Sequence, residues 1–154
     1  MRCNPPARVL LVEDISQQRL PARTLAAVLR QAGLAAYVAS FTAGDDPAAL
    51  VGLAQREQPH LVVLSILFDH LLAECLTLAQ ALREAGVAAH VTMVGPLPTA
   101  ACAALLAAAP ALDSVLCGDP EIGIVPLAQT LAQGAPWENV PGLVHRGPPV
   151  HANP

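Results

Sequence analysis

Short apolar runs rich in valine and leucine alternate with helix-like segments along most of this chain. Each run is a few residues long and continuously apolar, which is typical of strands buried on both faces of a sheet. The segments between them place apolar residues at helical spacing and are bounded by glycine or proline. Strands are predicted at 8–13, 35–41, 61–65, 89–94 and 113–117, and helices at 20–32, 47–57, 70–85, 99–109 and 121–133.

Five strand–helix units in succession predict a parallel sheet with helices on both faces, because parallel neighbours need right-handed crossover connections. We expect a flavodoxin-like (Rossmann-like), three-layer α/β/α fold with five strands in the order 2-1-3-4-5. Ligands of such sheets bind beyond the carboxyl ends of the strands, at the switch between strands 1 and 3. Function is therefore expected in the loops that begin at Glu13, Ser65, Gly95 and Cys117.

The composition of the chain changes near its C-terminal end. We predict an α/β domain over residues 1–134 and a Pro/Gly-rich tail over 135–154 that packs on it, with Trp137 as an anchor. The tail contains one short strand-like piece, GLVHR. We expect His145 and His151 in a mobile part of the tail and predict no metal site from them.

Charge and composition argue against several classes of function. The formal net charge is −4 with eight Lys and Arg residues in 154, which disfavours a nucleic-acid-binding surface. No apolar run reaches the roughly 18 residues of a membrane helix, and the first residues do not resemble a signal peptide, so we expect a cytoplasmic protein. Four cysteines without a C-x-x-C pair predict neither zinc nor an iron–sulfur cluster. The oligomeric state stays open.

The start of the chain, RVLLVED, resembles the receiver domain of response regulators, in which an acidic pair matching Glu13 and Asp14 holds Mg²⁺. That resemblance implies an aspartate at the end of strand 3, a hydroxyl residue after strand 4 and a lysine after strand 5. Ser65, Gly95 and Cys117 stand there instead. Phosphoryl transfer needs a nucleophile and a cation that stabilises the transferred group. A working receiver is therefore excluded, and only a degenerate one stays as an alternative.

The strand ends are more similar to the cobalamin (vitamin B12)-binding domain, with its D-x-H-x-x-G, S-x-L and G-G motifs after strands 1, 3 and 4. The corresponding loops here read Asp14-Ile15-Ser16-Gln17-Gln18-Arg19, Ser65-Ile66-Leu67 and Gly95-Pro96. The resemblance implies that the Ser65 hydroxyl hydrogen-bonds the benzimidazole tail of the cofactor. It also implies that Leu67 leaves room for a flat heterocycle and that Gly95 lets the backbone approach the ligand closely.

Two positions depart from that pattern. Ser16 stands where the family has its cobalt-ligating histidine, so the resemblance implies a cofactor bound base-off and without a protein histidine. His70 follows strand 3, but a solvated or capping histidine at a helix start is the better interpretation. Pro96 replaces the second glycine and stiffens a loop that is expected to touch the corrin.

Loss of that histidine is typical of the N-terminal domains of cobalamin-dependent radical SAM proteins. The segment AHVTMVGPLPTAACAALLAAAPALDSVLCGDPE is similar to their H-V-T-x-G-G-x-x-P-T … L-D-x-V-x-x-G-E-x-E run. WENVPGLVHRGPPVHANP is similar to their W-x-x-I-P-G-L-x-Y-R … N-P closing. The chain has no C-x-x-x-C-x-x-C motif for the iron–sulfur cluster of those enzymes. The resemblance thus implies a cobalt-containing cofactor presented to a radical SAM or other biosynthetic partner.

The residues expected to contact cobalamin are all at the strand ends, and none is assigned a catalytic or metal-ligating role. They are Asp14, Ser16, Ser65, Ile66, Leu67, Gly95, Pro96, Cys117, Gly118 and Glu121. Structural roles are also open for three of them: local backbone could satisfy the Ser65 hydroxyl, and Asp14 and Glu121 could each cap a helix.

Two other functions are left open for the whole chain. The first is a cofactor-free scaffold of the same fold that acts through protein contacts. The second is a stand-alone enzyme that uses the strand-end cleft for other chemistry. Cys117 would be its nucleophile, although the acidic residues Asp119 and Glu121 are expected to raise the pKa of the thiol and weaken it.

Overall fold

The computed structural model describes residues 6–14, 21–67, 71–146 and 151–152, and the strands of this part of the chain form one sheet in the order β2-β1-β3-β4-β5-β6-β7. The strands are β1 (Arg8–Glu13), β2 (Ala35–Ser40), β3 (Leu61–Ser65), β4 (His90–Val94), β5 (Ser114–Leu116), β6 (Leu143–His145) and β7 (His151–Ala152). The helices are α1 (Pro21–Gln31), α2 (Ala48–Glu57), α3 (Leu72–Glu84), α4 (Pro96–Ala108) and α5 (Pro120–Ala132).

The first five strands are parallel and adopt the predicted order, so the flavodoxin-like α/β fold is confirmed. The sheet has two strands more than predicted, because β6 and β7 continue it as antiparallel neighbours of β5. The GLVHR piece supplies β6, whose Leu143 pairs with Leu116 and whose His145 pairs with Ser114.

The start of α2 agrees with the predicted helix over 47–57. Pro47 has helical dihedral angles, and the Asp46 carboxylate before it caps the helix by accepting a hydrogen bond from the Ala48 amide at 2.9 Å. The start of α4 differs from its prediction. Helix α4 begins at Pro96, three residues before the predicted start, because proline is preorganised for a first helical turn and lacks only an N–H that would be unpaired there. None of the described helices is long and apolar enough to span a membrane.

Alternate strand residues feed two apolar layers, one on each face of the sheet. Val9, Leu11 and Val63 face α1 and α5, while Leu10 and Val62 face α2, α3 and α4. All five side chains are buried to within 1% of full burial. Truncating such a residue to alanine typically costs about 2–5 kcal/mol. The sheet is therefore a rigid platform from which the loops at its carboxyl edge project.

Trp137 packs its ring edge-on against His90, with ring centroids 4.5 Å apart, and against His145 at 5.5 Å. This contact confirms the expected anchor between the tail and the domain. The expectation that His145 lies in a mobile segment is wrong, because this residue is buried in β6. Residues 147–150, 153 and 154 and the side chain of His151 lie outside the described part of the chain.

Candidate functional site

The carboxyl ends of β1, β3, β4 and β5 meet at one edge of the sheet, which we call the carboxyl edge. The parallel register places Ser65 beside Val94, the residue before Gly95, and the Ile66 amide donates to the Val94 carbonyl at 2.9 Å. Nine of the ten expected contact residues lie at this edge or just beyond it. Ser16 and the histidine at position 70 are outside the described residues.

Ser65 ends β3 with a partly buried side chain. Its hydroxyl makes no hydrogen bond with any residue that the structure describes, so the alternative of a hydroxyl satisfied by local backbone is not realised there. The next two residues differ in exposure, since Ile66 is fully buried in the core and Leu67 is partly exposed. The Ser65 hydroxyl and the partly exposed Leu67 therefore lie together at the carboxyl end of β3.

Gly95 has a φ of 132°, a conformation that side-chain-bearing residues rarely adopt. A Cβ at this position would overlap the carbonyl oxygen of Ile66. The close approach that requires glycine is thus between the loops after β3 and β4. The expected approach of this backbone to a ligand stays a prediction.

Thr99 connects two of the loops and was missed by the sequence interpretation. Its amide donates to the Gly95 carbonyl at 3.1 Å, and its hydroxyl accepts from the Gly118 amide at 3.3 Å. Pro96, which lies between Gly95 and Thr99 in the sequence, is exposed in the first turn of α4. A threonine three residues after a helix-starting proline was the available signal, but its partner is 19 positions away.

Cys117 follows β5, with its amide donating to the Gly142 carbonyl at 2.8 Å. Burial, together with the neighbouring Cys102 thiol, raises the pKa of Cys117 to about 11. The expected direction is correct, but the cause is not the acidic residues that follow in sequence. A thiol with this pKa is protonated at neutral pH and is a poor nucleophile. Cys117 is therefore not an activated nucleophile in this structure.

The first turn of α5 presents Glu121 and Ile122 to solvent. Glu121 makes no hydrogen bond with a described residue, and Asp119 occupies the cap position without a side-chain cap bond, so the predicted capping role of Glu121 is not realised. Ile122 is 67% exposed and is the only large apolar side chain so exposed in the described chain. Exposed apolar side chains at a strand-end cleft suit contact with a ligand or a partner.

Acidic side chains lie on the other side of the edge. Glu13 is buried at the end of β1, with one carboxylate oxygen 3.2 Å from Arg23 Nε and the other buried without a hydrogen-bond partner among the described residues. One Glu74 oxygen, in the first turn of α3, is in the same situation. Burial, followed by the charges of Glu74 and Asp14, raises the pKa of Cys75 to about 12. We call Glu13, Asp14 and Glu74 the acidic cluster.

The three histidines whose side chains the structure describes, His60, His90 and His145, are all at the opposite, amino edge of the parallel strands. The carboxyl edge therefore offers hydroxyl and carboxylate oxygens, and within the described residues it offers no imidazole. No group of three or more potential metal ligands occurs in that part of the chain. The arrangement can hold a ligand through hydrogen-bond acceptors and apolar contacts.

A family model described as "B12 binding domain" matches residues 17–127. The search of curated proteins gave no match. Among solved structures, the chain is similar to the radical S-adenosylmethionine methyltransferase TsrM from Kitasatospora setae, with 19% identity and a TM-score of 0.80 over 95% of this chain and 30% of that enzyme.

A second similar structure is the cobalamin-dependent S-adenosylmethionine radical enzyme OxsB with aqua-cobalamin bound, with 20% identity and a TM-score of 0.78 over 97% of this chain and 22% of OxsB. The Francisella response regulator 1452 receiver domain has a TM-score of 0.60 at 15% identity, over 83% of this chain and 98% of that domain. These similarities establish a shared fold. The chain spans less than a third of the length of either radical enzyme.

Proposed function

The chain belongs to the B12-binding domain family, and from this premise we propose that it binds cobalamin at the carboxyl edge and presents the corrin to a second catalytic domain or protein. The proposal rests above all on one observation. At the position of the family's S-x-L motif, Ser65 is partly buried and its hydroxyl makes no hydrogen bond within the described residues. Because none of these residues uses it, the hydroxyl is available to a ligand.

In this proposal the Ser65 hydroxyl donates a hydrogen bond to the nucleotide tail of the cofactor. A serine hydroxyl donates one hydrogen bond, and the tail's benzimidazole carries a ring nitrogen that accepts one when it does not bind cobalt. Leu67, partly exposed two residues later, supplies apolar surface for the flat heterocycle. In this proposal Ile66 and Gly95 do not touch the cofactor themselves but fix the loop that carries Ser65, because they are packed against each other.

The corrin ring would lie between the acidic cluster and the first turn of α5. Its rim carries amide groups, whose N–H donors suit the exposed carboxylate of Glu121. They would also suit the unpaired oxygens of Glu13 and Glu74, which are buried and would have to become accessible as the ring binds. Ile122 supplies the apolar contact on the α5 side. Cys117 and Gly118 hold the loop between them, and Pro96 forms the exposed margin at α4. Asp14 and Ser16 complete the proposed contact set from the first loop.

We propose a histidine-off mode of binding, because the described histidine side chains lie at the other edge of the sheet. Bound cobalamin supplies a cobalt centre that exchanges a methyl group or electrons with a substrate. The residues of this chain would hold the nucleotide tail and pair with the amide groups of the corrin rim. A radical SAM enzyme is the partner class proposed, since TsrM and OxsB contain a region of this fold within a much longer chain.

The test is retention of the cofactor by the purified chain. We expect protein mixed with hydroxocobalamin and then desalted to keep about one equivalent, with a visible spectrum that shows no ligation by a protein imidazole and does not change in His70→Ala. Ser65→Ala should weaken binding by about 10-fold, the value of a typical hydrogen bond. Ser40→Ala, an exposed serine at the end of β2, is the matched control and should bind normally.

Two outcomes contradict the proposal. Absence of retained colour in the wild-type protein, combined with a stable protein partner recovered without cobalamin, favours the cofactor-free scaffold. Retained cobalamin with equal affinities for the wild type and Ser65→Ala removes Ser65 from the site. An imidazole-ligated spectrum would instead contradict the histidine-off mode.

A further inference from the structure

A cavity of about 670 Å³ lies at the amino edge of the sheet, opposite the proposed cofactor site. It is formed where the segments before β3 and β4 and the start of β5 come together, and Trp137 closes one side. Its ionisable lining comes from Arg8, His60, Arg83, His90 and Asp113. The volume lies in the range typical of small-molecule sites.

The Arg83 guanidinium is engaged in hydrogen bonds within the fold, and with Asp113 it forms an ion pair of zero net charge beside the cavity. Its guanidinium donates to the carbonyls of Val87, Ala89 and Ala111 and to one oxygen of Asp113. That Asp113 oxygen also accepts from the Val91 amide at 2.7 Å. Because the charges of Arg83 and Asp113 cancel, neither attracts a ligand ion strongly.

The hydrogen-bond directions around His90 can be assigned by counting hydroxyl protons. Thr92 donates to the Ser114 carbonyl at 3.2 Å, and Ser114 donates to the Thr92 hydroxyl at 2.9 Å. The Ser114 oxygen can then only accept from His90 Nε2, 2.8 Å away. His90 Nε2 thus carries a proton. Burial is the main reason that the pKa of His90 is lowered to about 4, so the imidazole is neutral near pH 7.

His60 and Arg8 present donors that nothing in the described chain uses. The Arg8 amide donates to His60 Nδ1 at 3.1 Å, which leaves the proton of neutral His60 on Nε2. Arg8 Nε donates to the Gln58 carbonyl at 3.0 Å, but its two terminal nitrogens have no hydrogen-bond partner among the described residues. Burial and the Arg8 charge lower the pKa of His60, so this imidazole is neutral near pH 7.

The charges of the cavity favour an anion. Two arginines and one aspartate line it, and two minus one leaves one positive charge, carried by the uncommitted guanidinium of Arg8. Two terminal guanidinium nitrogens form the planar fork that matches carboxylate or phosphate oxygens, and His60, which also lines the cavity, has an additional donor at Nε2.

We propose that this cavity is a second ligand site, which binds a small organic anion by its carboxylate or phosphate group through Arg8 and His60, with Trp137 against the body of the ligand. The site does not depend on the proposed cobalamin function, because it uses different residues at the opposite edge of the sheet.

Trp137 is the only tryptophan in the chain, so its fluorescence reports on this cavity directly. The cobalamin-free protein is titrated with benzoate and, separately, with inorganic phosphate up to about 10 mM, each against sodium chloride of matched ionic strength. We expect a saturable change with at least one of the two, and the comparison identifies a carboxylate or a phosphate ligand. Backbone amide NMR shifts at Arg8 and His60 are the second measurement.

Two variants locate the binding group. Arg8→Gln should weaken binding by roughly 10- to 100-fold, as expected for loss of a charged hydrogen-bond partner. His60→Asn keeps an acceptor for the Arg8 amide but removes the Nε2 donor, and should weaken binding by about 10-fold without disturbing β1. Arg56→Gln, which removes the same charge from an exposed residue of α2 outside the cavity, should bind as the wild type does.

Absence of saturable fluorescence and NMR changes with both anions would overturn the proposal. Equal affinities for the wild type and a folded Arg8→Gln or His60→Asn protein would overturn it too, and so would equal weakening in Arg56→Gln. Circular dichroism of each variant shows whether the fold is retained. Since no cobalamin is present, none of these results bears on the carboxyl-edge proposal.

Discussion

At the amino edge of the sheet Arg83 donates hydrogen bonds to four acceptors, whereas at the carboxyl edge the Ser65 hydroxyl has no described partner. The same contrast holds for carboxylates. Asp113 pairs with a guanidinium and an amide, while Glu13 and Glu74 each bury an oxygen that has no partner among the described residues. Stability alone favours pairing of buried polar groups, which is why the unpaired groups of the carboxyl edge are part of the ligand-binding proposal. Arg8 and His60 are the exception at the amino edge, which is why we place a second site there.

The largest expected effect comes from breaking the amino-edge network. Arg83→Met removes four hydrogen bonds and leaves the partly buried Asp113 carboxylate without its cation, so the free energy of unfolding should fall by about 3–4 kcal/mol. Urea unfolding followed by circular dichroism measures this. Arg56→Met, which breaks only an exposed pair with Glu57, should cost less than about 0.5 kcal/mol. Similar costs for the two variants would mean that the Arg83 network is not a stabilising one.

Acid should weaken the same edge through His90. Burial lowers its pKa to about 4 in the folded protein, against about 6.5 unfolded, so the unfolded chain binds the proton more tightly. The free energy of unfolding therefore falls as pH drops from 6.5 to 4, by up to about 3 kcal/mol from this group. Unfolding curves across that range measure the slope. His90→Gln retains a donor for Ser114, and its slope should be shallower; an unchanged slope would assign the acid sensitivity to other groups.

At the carboxyl edge, Gly95→Ala should cost about 2–3 kcal/mol. The new Cβ overlaps the Ile66 carbonyl, and the φ of 132° is strained for alanine. Gly118→Ala is the control, because its φ is also positive but no atom lies within 4 Å of the added carbon, and we expect about 1 kcal/mol. Thermal unfolding compares the two. Equal costs would show that the contact with Ile66 relaxes freely.

The smallest expected effect has the opposite sign. Glu13→Gln removes a buried charge whose only described partner is an exposed arginine, so the free energy of unfolding should rise by roughly 0.5–1 kcal/mol. Cobalamin affinity should fall at the same time, because one acceptor for the corrin amides is replaced by a donor. Denaturant unfolding and cofactor titration are needed together. Lower stability in the variant would mean that Glu13 serves the fold, as Asp113 does.

Local pattern predicted the elements well and their long-range partners poorly. Strand β3 has its predicted bounds because a continuous apolar run marks both ends. The start of α4 was missed because this alanine-rich helix has no apolar periodicity there and is marked only by Pro96. The antiparallel pairing of β6 with β5 and the Arg83–Asp113 pair join residues about 30 positions apart, which no local pattern specifies.

At the site, motif position selected Ser65 and Gly95 but did not predict which neighbour requires the glycine. A motif shows which residue type is required, whereas the neighbour that requires it, here the Ile66 carbonyl, comes from another strand. Thr99 and Ile122 were not predicted for a similar reason. The hydrogen bond of Thr99 to Gly118 and the exposure of Ile122 both depend on how distant segments pack in the fold.

The packing of Gly95 against Ile66 has a mechanical consequence. Through Thr99, the start of α4 is joined to the Gly118 amide, and through Cys117 that loop is joined to the Gly142 carbonyl just before β6. The ends of β3, β4 and β5 and the loop before β6 are therefore linked by one continuous set of contacts. For the proposed function, this continuity means that the loops that would hold the cofactor are fixed relative to one another before it binds.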